Sequence, residues 1–194
     1  WKITVQVGRT GVLTPVAELE PVLLAGSEIA RATLHNADEI ARKDIRVGDR
    51  VWVVKAGDVI PAVESVLAEK RDGSETAFAM PDACPVCGGP VARLGDEVAH
   101  RCTNPACPAQ RVGRLEHFAS RDALDVRAIG GKVAEALVAQ EWVKDPLDLF
   151  SLTLPQLEAF RIGDEASGTR KFGKNAQTAL DALEAAKSLP LDRW

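Results

Sequence analysis

The amino-acid sequence predicts a multi-domain α+β chain: a small β-barrel, then a four-cysteine metal-binding segment, then an all-α region. Three observations predict it. Residues 1–80 alternate β-branched and polar side chains between glycine-bearing turns, the pattern of half-buried strands. Four cysteines follow in two close pairs within residues 81–112. Over residues 113–194 the apolar positions recur at helical spacing.

In the first segment Ile3, Val5 and Val7 alternate with polar residues, and Gly8-Arg9-Thr10-Gly11 reads as a turn. Further strands fit Pro21–Leu24, Glu28–Thr33, Arg50–Val54 and Ala62–Glu69. Asn36 with Glu39 three residues on is a helix start, because the Asn side chain can accept the backbone N–H left unpaired in the first turn. Gly48-Asp49 turns that short helix back into a strand. About five strands with one short helix suit a small barrel of the OB-fold type. His35 reads as a strand-to-helix structural residue rather than a general base.

The cysteines are Cys84, Cys87, Cys102 and Cys107, a C-x2-C, x14, C-x4-C array. Two knuckles separated by a hairpin-length spacer place four thiolates at the corners of a tetrahedron, which suits one Zn2+. Four occupied positions leave none for water, so the expected zinc is structural. Two disulfides or four free thiols are the alternative. His100 lies nearby, is not needed as a ligand, and is expected on the exposed hairpin.

In the helical segment Val133, Ala134, Leu137 and Val138 share a face, as do Ala176, Ala179, Leu180 and Leu183. Thr153 with Gln156 forms a second capping pattern. A weak internal repeat, a Gly-Lys turn ahead of an Ala-rich helix, occurs at Gly130–Ala139 and Gly173–Leu183. A glycine turn feeding a helix points free N–H groups outward, where a phosphate can accept them, and a first-turn lysine adds charge. This is how a helix-hairpin-helix holds a DNA backbone without reading sequence. Gly130 with Lys132, and Gly173 with Lys174, are the candidate phosphate-binding turns; a plain helix connection with solvated lysines is the alternative.

Composition limits the remaining classes. The 194 residues carry 24 basic and 28 acidic side chains, a formal charge of −4. That argues against a purely electrostatic nucleic-acid binder, so DNA binding must rest on particular backbone and side-chain geometry. No apolar run approaches the ~18 residues of a membrane span. Four cysteines are too sparse for a secreted disulfide scaffold. The opening Trp1 with no initiator methionine suggests a piece of a longer protein. Lys70-Arg71-Asp72-Gly73 matches the K-x-D-G motif of nucleotidyltransferases, whose lysine needs a deep nucleotide pocket. Here Asp72-Gly73 reads as a charged surface turn, and Lys70 is not assigned a catalytic role.

Several longer strings resemble bacterial NAD-dependent DNA ligases. They are Gln6–Ala17, Ala32–Asn36 and Ala56–Pro61 in the first segment, then Cys102–Gln110, then His117–Ala123. The order of the segments is also that family's: OB-fold (1–80), four-cysteine zinc finger (81–112) and an incomplete helix-hairpin-helix domain (113–194). The resemblance implies the DNA-clamping portion of an enzyme that seals nicks in duplex DNA during replication and repair. In that family a separate adenylation domain transfers AMP from NAD to a lysine. The expected partners are therefore nicked duplex DNA and an adenylation domain of the same full-length chain, in the bacterial cytoplasm with the nucleoid and away from membranes. This segment alone is expected to be non-catalytic.

By the same resemblance Arg9 and Thr10 contact DNA near the nick, Lys55 contacts a phosphate, and Val59 and Ile60 pack against the minor groove. Core packing is the alternative for the last two. Ala128 departs from the family's first hairpin glycine, and Arg161–Arg170 reads as an insertion that blurs the register of the second hairpin. Two other classes stay open: a stand-alone nucleic-acid-binding adaptor and a protein-interaction module.

Overall fold

Alternation along the first segment gives strands β1 (Lys2–Val7), β2 (Leu13–Leu24) and β3 (Ser27–Thr33), which pair antiparallel in succession. The computed structural model describes residues 1–24, 26–56, 60–163 and 168–190. After β3, Asn36 Oδ1 accepts the Glu39 N–H at 2.8 Å and starts helix α1 (Ala37–Arg42), whose Ile40 is buried. A two-residue strand β4 (Arg46–Val47) follows, then the hairpin β5 (Val51–Ala56) and β6 (Ile60–Val66). The five-stranded sheet runs β1-β2-β3-β6-β5, and β3 meets β6 in parallel through Thr33 and Ala62. Ala17, Ala32, Leu34, Ile40, Ile45 and Val63 fill its interior.

β2 is longer than the expected Pro21–Leu24, beginning at Leu13 and accommodating both Pro15 and Pro21. Pro15 uses only its carbonyl, which accepts from Leu34 N–H at 3.0 Å. Pro21 falls where the β2–β3 register shifts, between Glu18 and Val22, so no ladder donor is missed there. The strand expected over Ala62–Glu69 ends instead at Val66 and passes into a 3-10 turn, Ala68–Lys70.

Behind that turn Arg71 binds two carboxylates. Its Nε reaches Asp49 Oδ1 at 2.7 Å and its Nη1 reaches Asp44 Oδ2 at 2.7 Å. Asp49 is 1% exposed. Burial pushes its carboxyl up, but the Arg71 guanidinium and the Arg46 backbone N–H outweigh that and hold it below the usual carboxylate range. Strand β7 (Thr76–Ala77) pairs with β4 and closes the segment.

Cys84–Cys107 then forms a small module around the hairpin β8 (Val91–Arg93) and β9 (His100–Cys102). It belongs to the same compact unit as the sheet, residues 1–107. Val12 and Arg101 form an antiparallel bridge, Cys102 N–H donates to Gly11 O at 2.8 Å, and Arg93 pairs with Asp38.

The second unit covers 108–194. Helices α2 (Pro108–Ala119), α3 (Gly131–Ala139), α4 (Leu154–Ala159) and α5 (Asn175–Ala186) share one core with a 3-10 turn at Pro146–Ser151. Gln156 Oε1 accepts from both Thr153 N–H and Oγ1 at 2.8 Å, which caps α4 as expected. Phe160 lies at 1% exposure with its ring edge-on to Trp142 and Phe172, at centroid distances of 5.3 and 6.2 Å. This unit is not all-α: strands β10 (Arg161–Ile162) and β11 (Arg170–Lys171) pair antiparallel. They border the stretch read as an insertion, where the helical period stops at Phe160; residues 164–167 lie outside the described ones. Among the described residues no helix is long and apolar enough to cross a membrane.

Candidate metal centre and nucleic-acid interface

Each cysteine pair sits on a backbone knuckle. In the first, Gly88 N–H donates to Cys84 O at 2.9 Å and Cys84 N–H to Gly89 O at 2.8 Å; Gly88 takes φ +68°, open to glycine at little cost. In the second, Cys107 N–H donates to Asn104 O at 3.1 Å, and Asn104 Oδ1 accepts Ala106 N–H at 3.0 Å. The hairpin β8–β9 sets the two knuckles facing one another, so that all four Sγ atoms lie within 4.8 Å of each other.

Cys84 and Cys107 are 3.9 Å apart and Cys87 and Cys102 3.6 Å. A disulfide needs ~2.05 Å, so the disulfide alternative fails. A tetrahedral zinc with ~2.3 Å Zn–S bonds requires sulfurs about 3.8 Å apart, which these separations match. The four-cysteine cluster fits one structural Zn2+, held by Cys84, Cys87, Cys102 and Cys107 and cross-linking the two knuckles. Gly89 N–H and Asn104 Nδ2 approach Cys87 Sγ at 3.4 and 3.5 Å. The Gly89 N–H is the main cause that lowers the Cys87 thiol to about 7, against partial burial and with help from Asn104. Burial pushes Cys102 up. His100 is half-buried on β9 and outside the cluster.

The other candidates fall on both units. Arg9 and Thr10 are exposed on the five-residue loop, 8–12, between β1 and β2. Gly8 N–H donates to Val12 O and Gly11 N–H to Gly8 O, both at 2.9 Å, and Gly11 is buried at φ +79°. On the β5–β6 hairpin Lys55 is half-buried, with Nζ 3.1 Å from Ser27 Oγ. Ile60 opens β6 at 59% exposure, so core packing does not describe it. Val59 lies outside the described residues. Lys70 is exposed at the end of its 3-10 turn, and Ser74 N–H donates to Asp72 Oδ1 at 2.9 Å while Gly73 takes φ +93°. That is the turn expected at this motif.

In the second unit Gly130 caps α3, its carbonyl accepting from Val133 and Ala134 N–H at 2.9 and 3.0 Å. Buried Ile129 anchors the turn from below, and Lys132 is exposed in the first turn. A Cβ at Gly131 would come within 2.4 Å of Glu116 Oε1 on α2, the movable end of a side chain that would have to shift to admit it. The second turn repeats the pattern: buried Phe172, then Gly173 at φ +59° with its carbonyl accepting Ala176 N–H at 2.9 Å, then exposed Lys174 ahead of α5.

Sequence reasoning missed two arginines. Arg71 hid inside the discounted K-x-D-G match. Arg101, beside a cysteine ligand, donates from Nη1 to Thr10 O and Oγ1 at 3.2 and 3.1 Å. Its only sequence signal is alternation, which turns residue 101 away from the metal when residue 102 faces it.

Residues 1–75 match the family model of the NAD-dependent DNA ligase OB-fold domain, and residues 83–109 that of the NAD-dependent DNA ligase C4 zinc finger domain. A DNA ligase of Akkermansia muciniphila is 54% identical over 196 residues, covering 99% of this chain and 25% of the relative. Those of Dichelobacter nodosus and Pelotomaculum thermopropionicum are 51% and 52% identical, each covering 27% of the relative. The chain thus spans about a quarter of the length of the curated relatives it matches.

Proposed function

This chain belongs to the NAD-dependent DNA ligase family, and we propose on that premise that it is the DNA-gripping part of a nick-sealing enzyme. The observation that carries the reading is the exposed Arg9-Thr10 loop on a sheet and zinc finger that both match ligase domains. An arginine on phosphates and exposed Ile60 beside Val59 against sugars give sequence-independent grip, which nick sealing requires. Lys55 adds a phosphate contact once it leaves Ser27.

In the second unit the turns at Gly130-Lys132 and Gly173-Lys174 act as a helix-hairpin-helix pair, offering helix N-terminal N–H groups and a lysine to the backbone. The paired geometry supports this better than solvated connections do, because each turn is pinned by a buried residue ahead of its glycine. A −4 chain binds DNA in this way through local donors rather than net field. The reaction itself, AMP transfer from NAD to a lysine and then to the 5′-phosphate, belongs to a separate adenylation domain of the full-length enzyme, acting on nicked duplex in the bacterial cytoplasm.

The test is a binding titration of this chain on nicked duplex, intact duplex and single strand at two salt concentrations, with Arg9→Ala and Lys132→Ala. Salt-dependent duplex binding weakened by both substitutions is the expected result. Preference for single strand, with Lys132→Ala silent, would transfer the chain to the adaptor class; no binding at either salt would overturn the assigned DNA contacts.

A further inference from the structure

We propose that Arg101, on zinc-finger strand β9, is a positioning residue for the DNA contact made by the Gly8–Gly11 loop of the barrel. The inference rests on the reading that Arg9 and Thr10 touch DNA. Five residues join β1 to β2, and among the described residues the loop's own backbone supplies two hydrogen bonds, Gly8 N–H to Val12 O and Gly11 N–H to Gly8 O. The rest of its restraint comes from β9. Cys102 N–H donates to Gly11 O at 2.8 Å, and Val12 bridges Arg101. Cys102 is a metal ligand, so one residue joins the zinc centre to the loop through its backbone.

The Arg101 side chain completes the hold. One Nη1 donates to both the carbonyl and the hydroxyl of Thr10, while Nε donates to Glu97 Oε2 at 2.8 Å. These contacts commit the guanidinium to protein acceptors, and the Glu97 carboxylate beside it repels phosphate. Arg101 therefore acts on DNA through Thr10 rather than by touching it. A planar fork with fixed donor directions is needed to serve Glu97 and Thr10 together, which a lysine's single ammonium cannot do. Removing it frees the Thr10 carbonyl and hydroxyl, and Arg9 then loses its fixed exit direction.

The test measures nicked-duplex affinity of this chain, zinc content by a chromogenic chelator, and hydrogen exchange of the amides over residues 8–12. The proteins are the wild type, Arg9→Ala, Arg101→Ala, the double variant, and Arg101→Lys. Arg101→Ala is expected to weaken binding roughly three- to tenfold, with zinc content unchanged and exchange faster over residues 8–12. The double variant is expected to lose less than the sum of the two single losses, because Arg101 works through the loop that carries Arg9 and Thr10. Arg101→Lys, which keeps the charge, is expected to show part of the same loss.

Additive losses, wild-type binding by Arg101→Ala, or full rescue by Arg101→Lys would overturn the positioning role. Wild-type binding by Arg9→Ala would instead overturn the DNA-contact reading beneath it. Were Arg101→Ala to lose zinc, Arg101→Lys with zinc retained decides the matter by its loop exchange: unchanged exchange overturns the proposal, faster exchange supports it.

Discussion

Gly89 carries no side chain because there is no room for one, and Gly89→Ala is expected to weaken zinc binding without unfolding the barrel. A Cβ at position 89 would stand 2.9 Å from Asn104 Cβ and 3.2 Å from Cys87 Sγ. Carbon atoms pack at ~3.5–4.0 Å, so the overlap with Asn104 is about 0.6–1.1 Å. Neither neighbour is the free end of a flexible chain: Asn104 Cβ is fixed by its backbone, and Cys87 Sγ is a metal ligand. The knuckle must therefore open, which separates Gly89 N–H and Asn104 Nδ2 from the Cys87 sulfur they now approach. Overpacking of this kind costs about 1–3 kcal/mol, equivalent to roughly 5- to 150-fold in affinity. Competition with a chelator of known zinc affinity measures the loss, and the absorption bands of the Co2+-substituted protein report whether the tetrahedron is distorted. An unchanged zinc affinity with unchanged Co2+ bands would refute the steric argument and the role given to the two donors.

Four further outcomes are expected. Arg71→Ala strands the buried Asp49 carboxylate and should lower unfolding free energy by about 3–5 kcal/mol in a denaturant titration. Because the folded Asp49 carboxyl is held below its ordinary value, its contribution is present above ~pH 4 and fades as pH falls through the folded value; Asp49→Asn should therefore flatten the stability difference between pH 6 and pH 3. Phe160→Ala removes the ring wedged between Trp142 and Phe172 and should cost the second unit about 3–5 kcal/mol, read from Trp fluorescence during unfolding. Zinc binding should weaken as pH falls, because protons compete for the four thiolates; metal release on acidification or chelation, followed colorimetrically, should lift the protection from hydrogen exchange of the β8–β9 amides while leaving the β5–β6 hairpin protected.

Where local chemistry determined the structure, the sequence could be read directly. Asn36 Oδ1 accepts the Glu39 N–H and Gln156 Oε1 the Thr153 N–H, each a side-chain oxygen reaching an N–H three residues away, a purely local requirement. The metal cluster was legible for a similar reason, since the spacing of two knuckles around a hairpin leaves little choice of geometry. The full length of β2 was not, because whether Pro15 and Pro21 break a strand depends on which neighbour needs their missing N–H, and pairing partners are not written locally. The β10–β11 ladder escaped for the same reason: two residues on each side carry no periodicity. The contacts of Arg71 and Arg101 span 22 and 91 positions, so no window of sequence could have joined them. Among the candidate DNA contacts, exposure of Ile60 is likewise a tertiary fact, settled by which strand end it occupies.

The single parallel pairing in the sheet, Thr33 with Ala62, bears on how the barrel assembles. On one side of that seam β1, β2 and β3 follow one another as neighbours; on the other β5 and β6 form a hairpin. Each half can zip up from contacts close in sequence, whereas the seam must bring together positions 29 residues apart. Closing such a gap consumes chain entropy before any contact returns it, so the seam is the late event and the halves are early ones. Pulsed hydrogen exchange during refolding should accordingly protect the β5–β6 amides before those flanking Thr33 and Ala62. The barrel then behaves as two hinged leaves that latch, with the last step to form also the first to open.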